Sequence, residues 1–120
     1  MKKQYSGIKR IVHAFGNSMA GLRAAFIDEA AFRQDLLLCI IGTVLLICLD
    51  LSLRTKVLLF LSLPLIIIAE LINTAIENAI DRIGPEYNPY SKKAKDIGSA
   101  VVLLTILFVI ALWIAVIFLP

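Results

Sequence analysis

The segment IGSAVVLLTILFVIALWIAVIFLP, from Ile97 to Pro120, contains no charged residue. A helix needs about 20 consecutive apolar residues to cross the hydrocarbon core of a bilayer, and this segment is longer than that. The lipid core offers no water to backbone N–H and C=O groups, so a single spanning segment must satisfy them within its own helix. The sequence therefore predicts a helical integral membrane protein.

The composition agrees with a membrane setting. Of the 120 residues, 60% are hydrophobic, compared with about 45–50% in ordinary soluble domains. The length allows one domain and no separate soluble module. We expect no nucleic-acid binding from so small and apolar a chain. The net charge of +3 instead favours attraction to anionic lipid headgroups or to a polyphosphate ligand.

Two further apolar segments are shorter, and both adjoin acidic residues. The first lies between Asp35 and Asp50, and it reaches spanning length only if its helix begins near Ala30. The second ends at Ala69 and must continue through ELINTAIENAIDR, which begins at Glu70. Both helices therefore carry polar residues at a membrane interface, and a proline inside the second predicts a local kink.

The N-terminal third has a different pattern. Its apolar residues recur at steps of three and four: Ile8, Ile11, Val12, Phe15, Met19, Leu22 and Phe26. Basic and polar residues fall mostly between them, which is typical of a helix lying on a membrane surface. Together the patterns predict an all-α membrane protein with a surface helix at about 6–27 and spans at about 30–49, 52–82 (with a cytoplasmic extension) and 94–119.

The basic residues predict the orientation of the chain. The arm before and at the start of the first span holds Lys2, Lys3, Lys9, Arg10, Arg23 and Arg33. The segment after the second span holds Arg82, Lys92, Lys93 and Lys95. The loop between the first two spans holds only Arg54 and Lys56. The positive-inside rule therefore places the arm and the second of these segments in the cytoplasm.

The acidic stretch forms one polar stripe on the second span. At 100° per residue, Glu70, Asn73, Glu77 and Asp81 fall within an arc of about 80° on one helix face. Glu70 to Glu77 climbs about 10 Å, so the stripe runs from the edge of the hydrocarbon into the headgroup zone. Ionisable groups at this depth are costly and indicate a functional site.

The chemistry of this stripe has two interpretations from the residues alone. Carboxylates beside Lys and Arg suit Mg²⁺ bridged to phosphate oxygens, because this ion commonly takes one or two protein carboxylates plus substrate phosphates. The single histidine, His13, excludes a site built on several imidazoles. Phosphoryl transfer is then one hypothesis, although no glycine loop of the Walker type and no protein-kinase signature is present. A proton or cation pathway through the membrane is the other.

Three blocks of sequence resemble a known family. GLRAAFIDEAAFRQ, ELINTAIENAIDRIGPEY and KKAKDIGSA are similar, in order and separation, to the signature regions of the small bacterial integral-membrane diacylglycerol kinases. The resemblance covers nearly the whole chain. It implies ATP-dependent phosphorylation of diacylglycerol to phosphatidic acid, with Mg²⁺ as cofactor, at the cytoplasmic face of the bacterial inner membrane. It also implies a homotrimer whose active sites are shared between subunits.

The resemblance also implies roles for individual residues. Glu70 is expected to be the general base at the lipid hydroxyl, with Asn73 helping to orient it, and Glu29 and Glu77 to hold the metal. The residues expected around ATP are Arg10, Asn17, Glu29, Glu77, Glu86, Tyr87, Asn88, Lys95 and Asp96. The residues expected to contact the lipid are Arg10, Ser18, Met19, Arg23, Phe26, Phe32, Glu70 and Ser99. Asn17, Met19 and Asn88 depart from the residues common in relatives.

A second branch of the same superfamily phosphorylates undecaprenol. LINTAIE resembles both branches equally, whereas GLRAAFIDEAAFRQ and DRIGPEY favour the diacylglycerol branch. The sequence therefore leaves three functions to compare: diacylglycerol kinase, undecaprenol kinase, and an acid-lined ion pathway that would turn over no ATP.

Overall fold

The computed structural model describes residues 5–120, which form five helices connected by short turns. Helix α1 comprises Gly7–Asp28, α2 Ala30–Cys48, α3 Leu53–Ser62, α4 Pro64–Ile83 and α5 Pro89–Phe118. Three stretches are long and apolar enough to cross a membrane: α2, α3 with α4 taken together, and α5. The prediction of an all-α membrane protein with three spans is confirmed. Lys2 and Lys3, counted for the orientation, lie outside the described residues.

Helix α1 stands away from the other helices. Along its whole length only Ala25, near its C-terminal end, is buried. Its apolar stripe is uncovered by the rest of the described chain, with Ile8 80% and Phe15 66% exposed. An uncovered apolar stripe of this kind suits a helix that lies in the headgroup zone of a bilayer with its apolar side in the lipid.

Helices α2 to α5 pack as an antiparallel bundle with α4 in its middle. Leu59, Leu63, Ile66 and Ala69 are buried along the α3–α4 stretch, whereas only 6% of the apolar window of α5 is buried within the chain. Leu107, Phe108 and Ile114 of α5 therefore present their side chains outward. This outward apolar surface is suited to lipid or to another copy of the chain.

The second span is interrupted at Leu63, next to the proline where the sequence predicts a kink. Pro64 has no N–H to offer the carbonyl of Phe60, and the N–H of Leu63 donates to that carbonyl instead, at 3.2 Å. At the residue before Leu63, Trp113 Nε1 of α5 donates to Ser62 Oγ at 2.9 Å. Neighbouring groups thus satisfy the polar atoms around the interruption, as they must inside a bilayer.

The last span begins at Pro89, earlier than the expected residue 94. Asn88 is its N-cap, and the Asn88 side-chain oxygen accepts hydrogen bonds from the backbone N–H groups of Tyr90 and Ser91, at 2.8 and 3.2 Å. An asparagine cap followed by proline at the first helical position is a strong start signal. Apolar character alone does not indicate this start, because the first two turns of the helix are mostly polar.

Candidate active site

The carboxylates of the acidic stripe on α4 lie close to two others, one at the corner between α1 and α2 and one on α2. Glu70 is only 7% exposed, and the side chain of Asp35 on α2 lies next to it. Glu29 and Glu77 are both near enough to act on Glu70 through their charge. We call these four side chains the acid cluster. It gathers residues from two parts of the chain that are far apart in sequence, positions 29–35 and 70–77.

The position of Glu29 follows from a sharp corner in the backbone. Helix α1 ends at Asp28 and α2 begins at Ala30, so Glu29 alone joins them, in an extended conformation with φ −112° and ψ 110°. Glu29 is the N-cap of α2, yet its side chain makes no capping hydrogen bond. Its carboxylate is therefore not used to stabilise the helix, which leaves both oxygens available to a ligand.

The side chain of Arg33 connects the two helices at this corner. Its Nη1 atom donates to the carbonyl oxygens of Phe26 and Ile27, at 2.8 and 3.0 Å. These carbonyls belong to the last turn of α1, where helix geometry leaves them without an intrahelical partner. The guanidinium thus ties the first turn of α2 to the end of α1, on either side of Glu29.

Asn73 connects the stripe to α5. Asn73 Nδ2 donates to Glu77 Oε1 at 3.1 Å, the i to i+4 contact that the helical stripe predicts. Asn73 is buried, and its Oδ1 accepts no hydrogen bond from residues 5–120. The side of α4 that carries Asn73 faces Gly98 of α5, while Glu70 faces α2. The stripe therefore lies between two neighbouring helices.

A cavity of about 590 Å³ opens beside the acid cluster, between α1 and α4. Ser18 and Leu22 of α1, Glu29 at the corner, and Leu71 and Thr74 of α4 are among its lining residues. A second, almost wholly apolar groove of about 540 Å³ runs between α2, α3 and α4, and it shares Leu22 and Leu71 with the first. The cavity is lined mainly by apolar atoms together with a few polar groups, and it adjoins the apolar groove at Leu22 and at Leu71, the residue after Glu70.

The other predicted site residues form separate groups. Glu86, Tyr87 and Asn88 line a pocket of about 410 Å³ at the turn between α4 and α5. Lys95 Nζ contacts Asp81 Oδ1, and Lys92 Nζ contacts Asp96 Oδ2, both at 2.6 Å. Arg10, Asn17, Met19, Arg23 and Phe26 lie on α1 with exposed side chains, and Ser99 is exposed on α5. Phe32 is buried inside the chain, only 3% exposed.

Two members of this region were not predicted as site residues. Asp35 was used only to mark the edge of a span, and its Oδ2 atom is enclosed without a hydrogen-bond partner among residues 5–120. An acid at the start of a spanning helix is itself a signal that could have found it. Gly98 belongs to the quoted block KKAKDIGSA, but no role was expected for it.

The donor atoms of the acid cluster are oxygens, the kind of ligand that a hard divalent cation binds. Glu29 has a carboxylate without a capping hydrogen bond, Glu77 is oriented by Asn73, and the unpartnered Oδ2 of Asp35 adds a further acceptor. No three His, Cys, Asp or Glu residues between positions 5 and 120 form a ready metal cage. This combination suits Mg²⁺, which takes one or two protein carboxylates and completes its shell with water and phosphate oxygens.

The fold and the site together define a small helical membrane protein with a cluster of carboxylates between its helices. Comparison with known sequences specifies the class of protein further. Residues 16–117 match the sequence pattern of the prokaryotic diacylglycerol kinase family. The chain belongs to the prokaryotic diacylglycerol kinase family.

Individual relatives match over nearly their whole length. A diacylglycerol kinase of Escherichia coli K12 is 45% identical over 113 residues, covering 94% of this chain and 93% of the relative. One from Pseudomonas aeruginosa is 41% identical, covering 92% of this chain and 90% of the relative. One from Helicobacter pylori strain 26695 is 40% identical, covering 89% and 84%.

Proposed function

We propose that this protein phosphorylates diacylglycerol to phosphatidic acid, with ATP as the phosphoryl donor. The observation that carries the proposal is the identity of 45% to a diacylglycerol kinase across 94% of the chain. The family resemblance of the sequence blocks and this comparison point to the same substrate. Neither favours undecaprenol or an ion pathway.

The proposed reaction is a direct transfer between the two substrates. Glu70 accepts the proton of the free hydroxyl of diacylglycerol, and the hydroxyl oxygen attacks the γ-phosphorus of ATP. The bond from that phosphorus to the β–γ bridging oxygen breaks, which gives phosphatidic acid, ADP and one proton. Burial of Glu70 supports the base role, since a carboxylate shielded from water is available to one positioned hydroxyl.

The proposed lipid position rests on the shape of the site. A diacylglycerol molecule has a small polar end and two apolar chains. The cavity, which contains the polar groups of Ser18, Glu29 and Thr74, adjoins the apolar groove at Leu22 and Leu71. Its hydroxyl would lie near Glu70 at the headgroup level while an acyl chain follows the groove. Ser18, which lines the cavity, supports a lipid contact there; Met19, Arg23, Phe26, Phe32 and Ser99 remain predictions.

The proposed metal ligands are Glu29 and Glu77. Mg²⁺ bound there would neutralise charge on the β- and γ-phosphates of ATP as the transfer proceeds. Asn73 orients the Glu77 carboxylate by its hydrogen bond, and Arg33 connects the two helices that flank Glu29. Lys95 supplies a compact positive charge for a phosphate oxygen, for which it exchanges its contact with Asp81.

The remaining proposals concern location and assembly. The arrangement of basic residues supports an active site on the cytoplasmic side of the bacterial inner membrane. The uncovered apolar surface of α5 supports a homotrimer. Shared sites are supported by the position of α4, because Glu70 faces α2 whereas Lys95 stands on α5. A neighbouring copy can bring a second Lys95 to the α2 side.

Transfer of labelled phosphate to a panel of lipids tests the activity. With Mg²⁺ and γ-labelled ATP, the purified protein in lipid or detergent is expected to label diacylglycerol strongly and undecaprenol weakly. Preferred labelling of undecaprenol would assign the chain to the other branch. If the folded protein labels no lipid, the kinase function is contradicted, and an ion pathway becomes the interpretation of the acid cluster.

Mixing inactive variants tests the shared site. Glu70→Gln and Lys95→Ala are each expected to be inactive, and mixed trimers of the two are expected to regain activity where an intact Glu70 meets an intact Lys95 of another copy. Glu70→Gln mixed with Asn73→Ala is the matched control, because one chain supplies both residues to each site. Confirmed mixed trimers without activity in the first pair would show sites contained in one chain.

A further inference from the structure

The amide of Asn73 has its orientation fixed from one side only. Its Nδ2 atom donates to Glu77 Oε1 at 3.1 Å, and the reverse orientation would place an amide oxygen against a carboxylate oxygen. Its Oδ1 therefore points away from Glu77. That atom is buried and accepts no hydrogen bond within the described chain. Its neighbours therefore provide space for the oxygen and no hydrogen-bond donor.

The room is provided by Gly98 on α5. A Cβ atom added at Gly98 would lie 2.6 Å from Asn73 Oδ1, and 3.3 Å from Ile76 Cδ1. Even a close carbon–oxygen contact in proteins is about 3.3–3.6 Å. Any side chain at position 98 would therefore displace the Asn73 amide or push α5 away from α4.

Backbone conformation does not explain this glycine. Gly98 lies inside α5, and positive φ angles occur in residues 5–120 only at Gly7 and Gly84. Glycine is a poor helix former, so its presence here costs helix stability, and the backbone conformation at this position does not require it. Among the helical glycines, an added Cβ would meet nothing within 4 Å at Gly16 and Gly21, and nothing closer than 3.4 Å at Gly42. Close approach to Asn73 is particular to Gly98.

We propose that Gly98 is a positioning residue for phosphoryl transfer. By leaving its Cβ position empty it lets the Asn73 amide pack against α5 and donate to Glu77, which fixes the carboxylate proposed to hold Mg²⁺. The expected effect of Gly98 on activity rests on the proposed function. The expected packing of Gly98 against Asn73 does not. Gly98 contacts no substrate in this account and acts only through Asn73.

The first test measures the Mg²⁺ requirement of Gly98→Ala. Groups that orient a metal ligand typically change metal affinity or activity by about 10–100-fold. We expect the Mg²⁺ concentration for half-maximal activity to rise by about tenfold or more, with the KM for diacylglycerol nearly unchanged. Gly42→Ala is the matched control, since it makes the same substitution in another spanning helix at an ordinary contact distance. An unchanged Mg²⁺ requirement in Gly98→Ala overturns the proposal.

The second test uses stability and needs no activity. Gly98→Ala is expected to lower the unfolding temperature of the protein, but to leave it unchanged or raise it in an Asn73→Ala background, where the space is free and alanine favours the helix. Ile76→Ala should give no such reversal. An equal loss of unfolding temperature in the native and Asn73→Ala backgrounds overturns the proposal. This test also applies if Gly98→Ala folds too poorly for kinetic measurements. If the native protein shows no kinase activity, this cycle still decides the packing.

Discussion

Glu70→Gln is expected to abolish nearly all phosphate transfer while the protein folds and binds nucleotide normally. The substitution keeps the size and hydrogen-bonding capacity of the side chain and removes the group that accepts the proton. General-base catalysis contributes about 10²–10⁴-fold, so we expect a loss of turnover in that range. Initial rates with saturating diacylglycerol and ATP measure it, and nucleotide binding to the purified variant shows that the site is otherwise intact.

Folding of this variant should be unaffected or improved. Glu70 is buried at a depth where a charged group is costly, and glutamine removes the charge. Asp50→Asn is a suitable control, because it also converts a carboxylate to an amide but lies in the exposed turn between α2 and α3. It should keep its activity. Turnover close to that of the native protein in Glu70→Gln would remove Glu70 from the role of base.

The second large effect is expected at the proposed metal ligands. Glu77→Gln should abolish turnover or greatly raise the Mg²⁺ requirement, and Glu29→Gln should do much the same. The amide oxygen introduced by Glu77→Gln can still accept the hydrogen bond from Asn73, so the substitution removes charge and leaves the contact. Glu29 caps no helix with its side chain, so its substitution removes no hydrogen bond from the fold. Both variants therefore report on the metal rather than on stability.

The double variant separates a shared role from two independent ones. Residues that act as a unit are non-additive, so Glu29→Gln with Glu77→Gln should lose little more activity than the worse single variant. Mg²⁺ titrations of initial rate for the three variants, with Asp50→Asn again as control, measure this. A normal Mg²⁺ dependence in both single variants would contradict the assignment and leave Glu77 as a solvated charge at the interface.

Much of this architecture could be predicted because each helix carries its own periodic signal. The uncharged third span, the apolar stripe of α1 and the polar stripe from Glu70 depend only on neighbours within one helix. The contact between Asn73 and Glu77 is of the same kind, since it joins residues four apart. The start of α5 was also present in the sequence, as asparagine followed by proline at position 89, but hydropathy outweighed it.

The contacts between helices were not predictable in this way. Asp35 meets Glu70 only because α2 and α4 pack in one particular register, and no pattern within either helix specifies it. Gly98 and Asn73 meet for the same reason across α4 and α5. The break at Leu63 was expected from Pro64 alone, whereas the bond from Trp113 to Ser62 beside it depends on how α5 lies against α3.

We expect the one-residue corner at Glu29 to make the bilayer surface a reference level for the enzyme. With α1 among the headgroups, where its uncovered apolar stripe is expected to place it, and α2 in the hydrocarbon, the vertex would stay at the near interface whatever the thickness of the membrane. A thicker or thinner bilayer is then accommodated at the opposite ends of the spans, by tilting or by displacing the turn between α2 and α3. Acyl chains of different length likewise leave a lipid hydroxyl at the headgroup level. We therefore expect the carboxylate and the hydroxyl to lie at the same depth, so that their alignment depends little on membrane thickness.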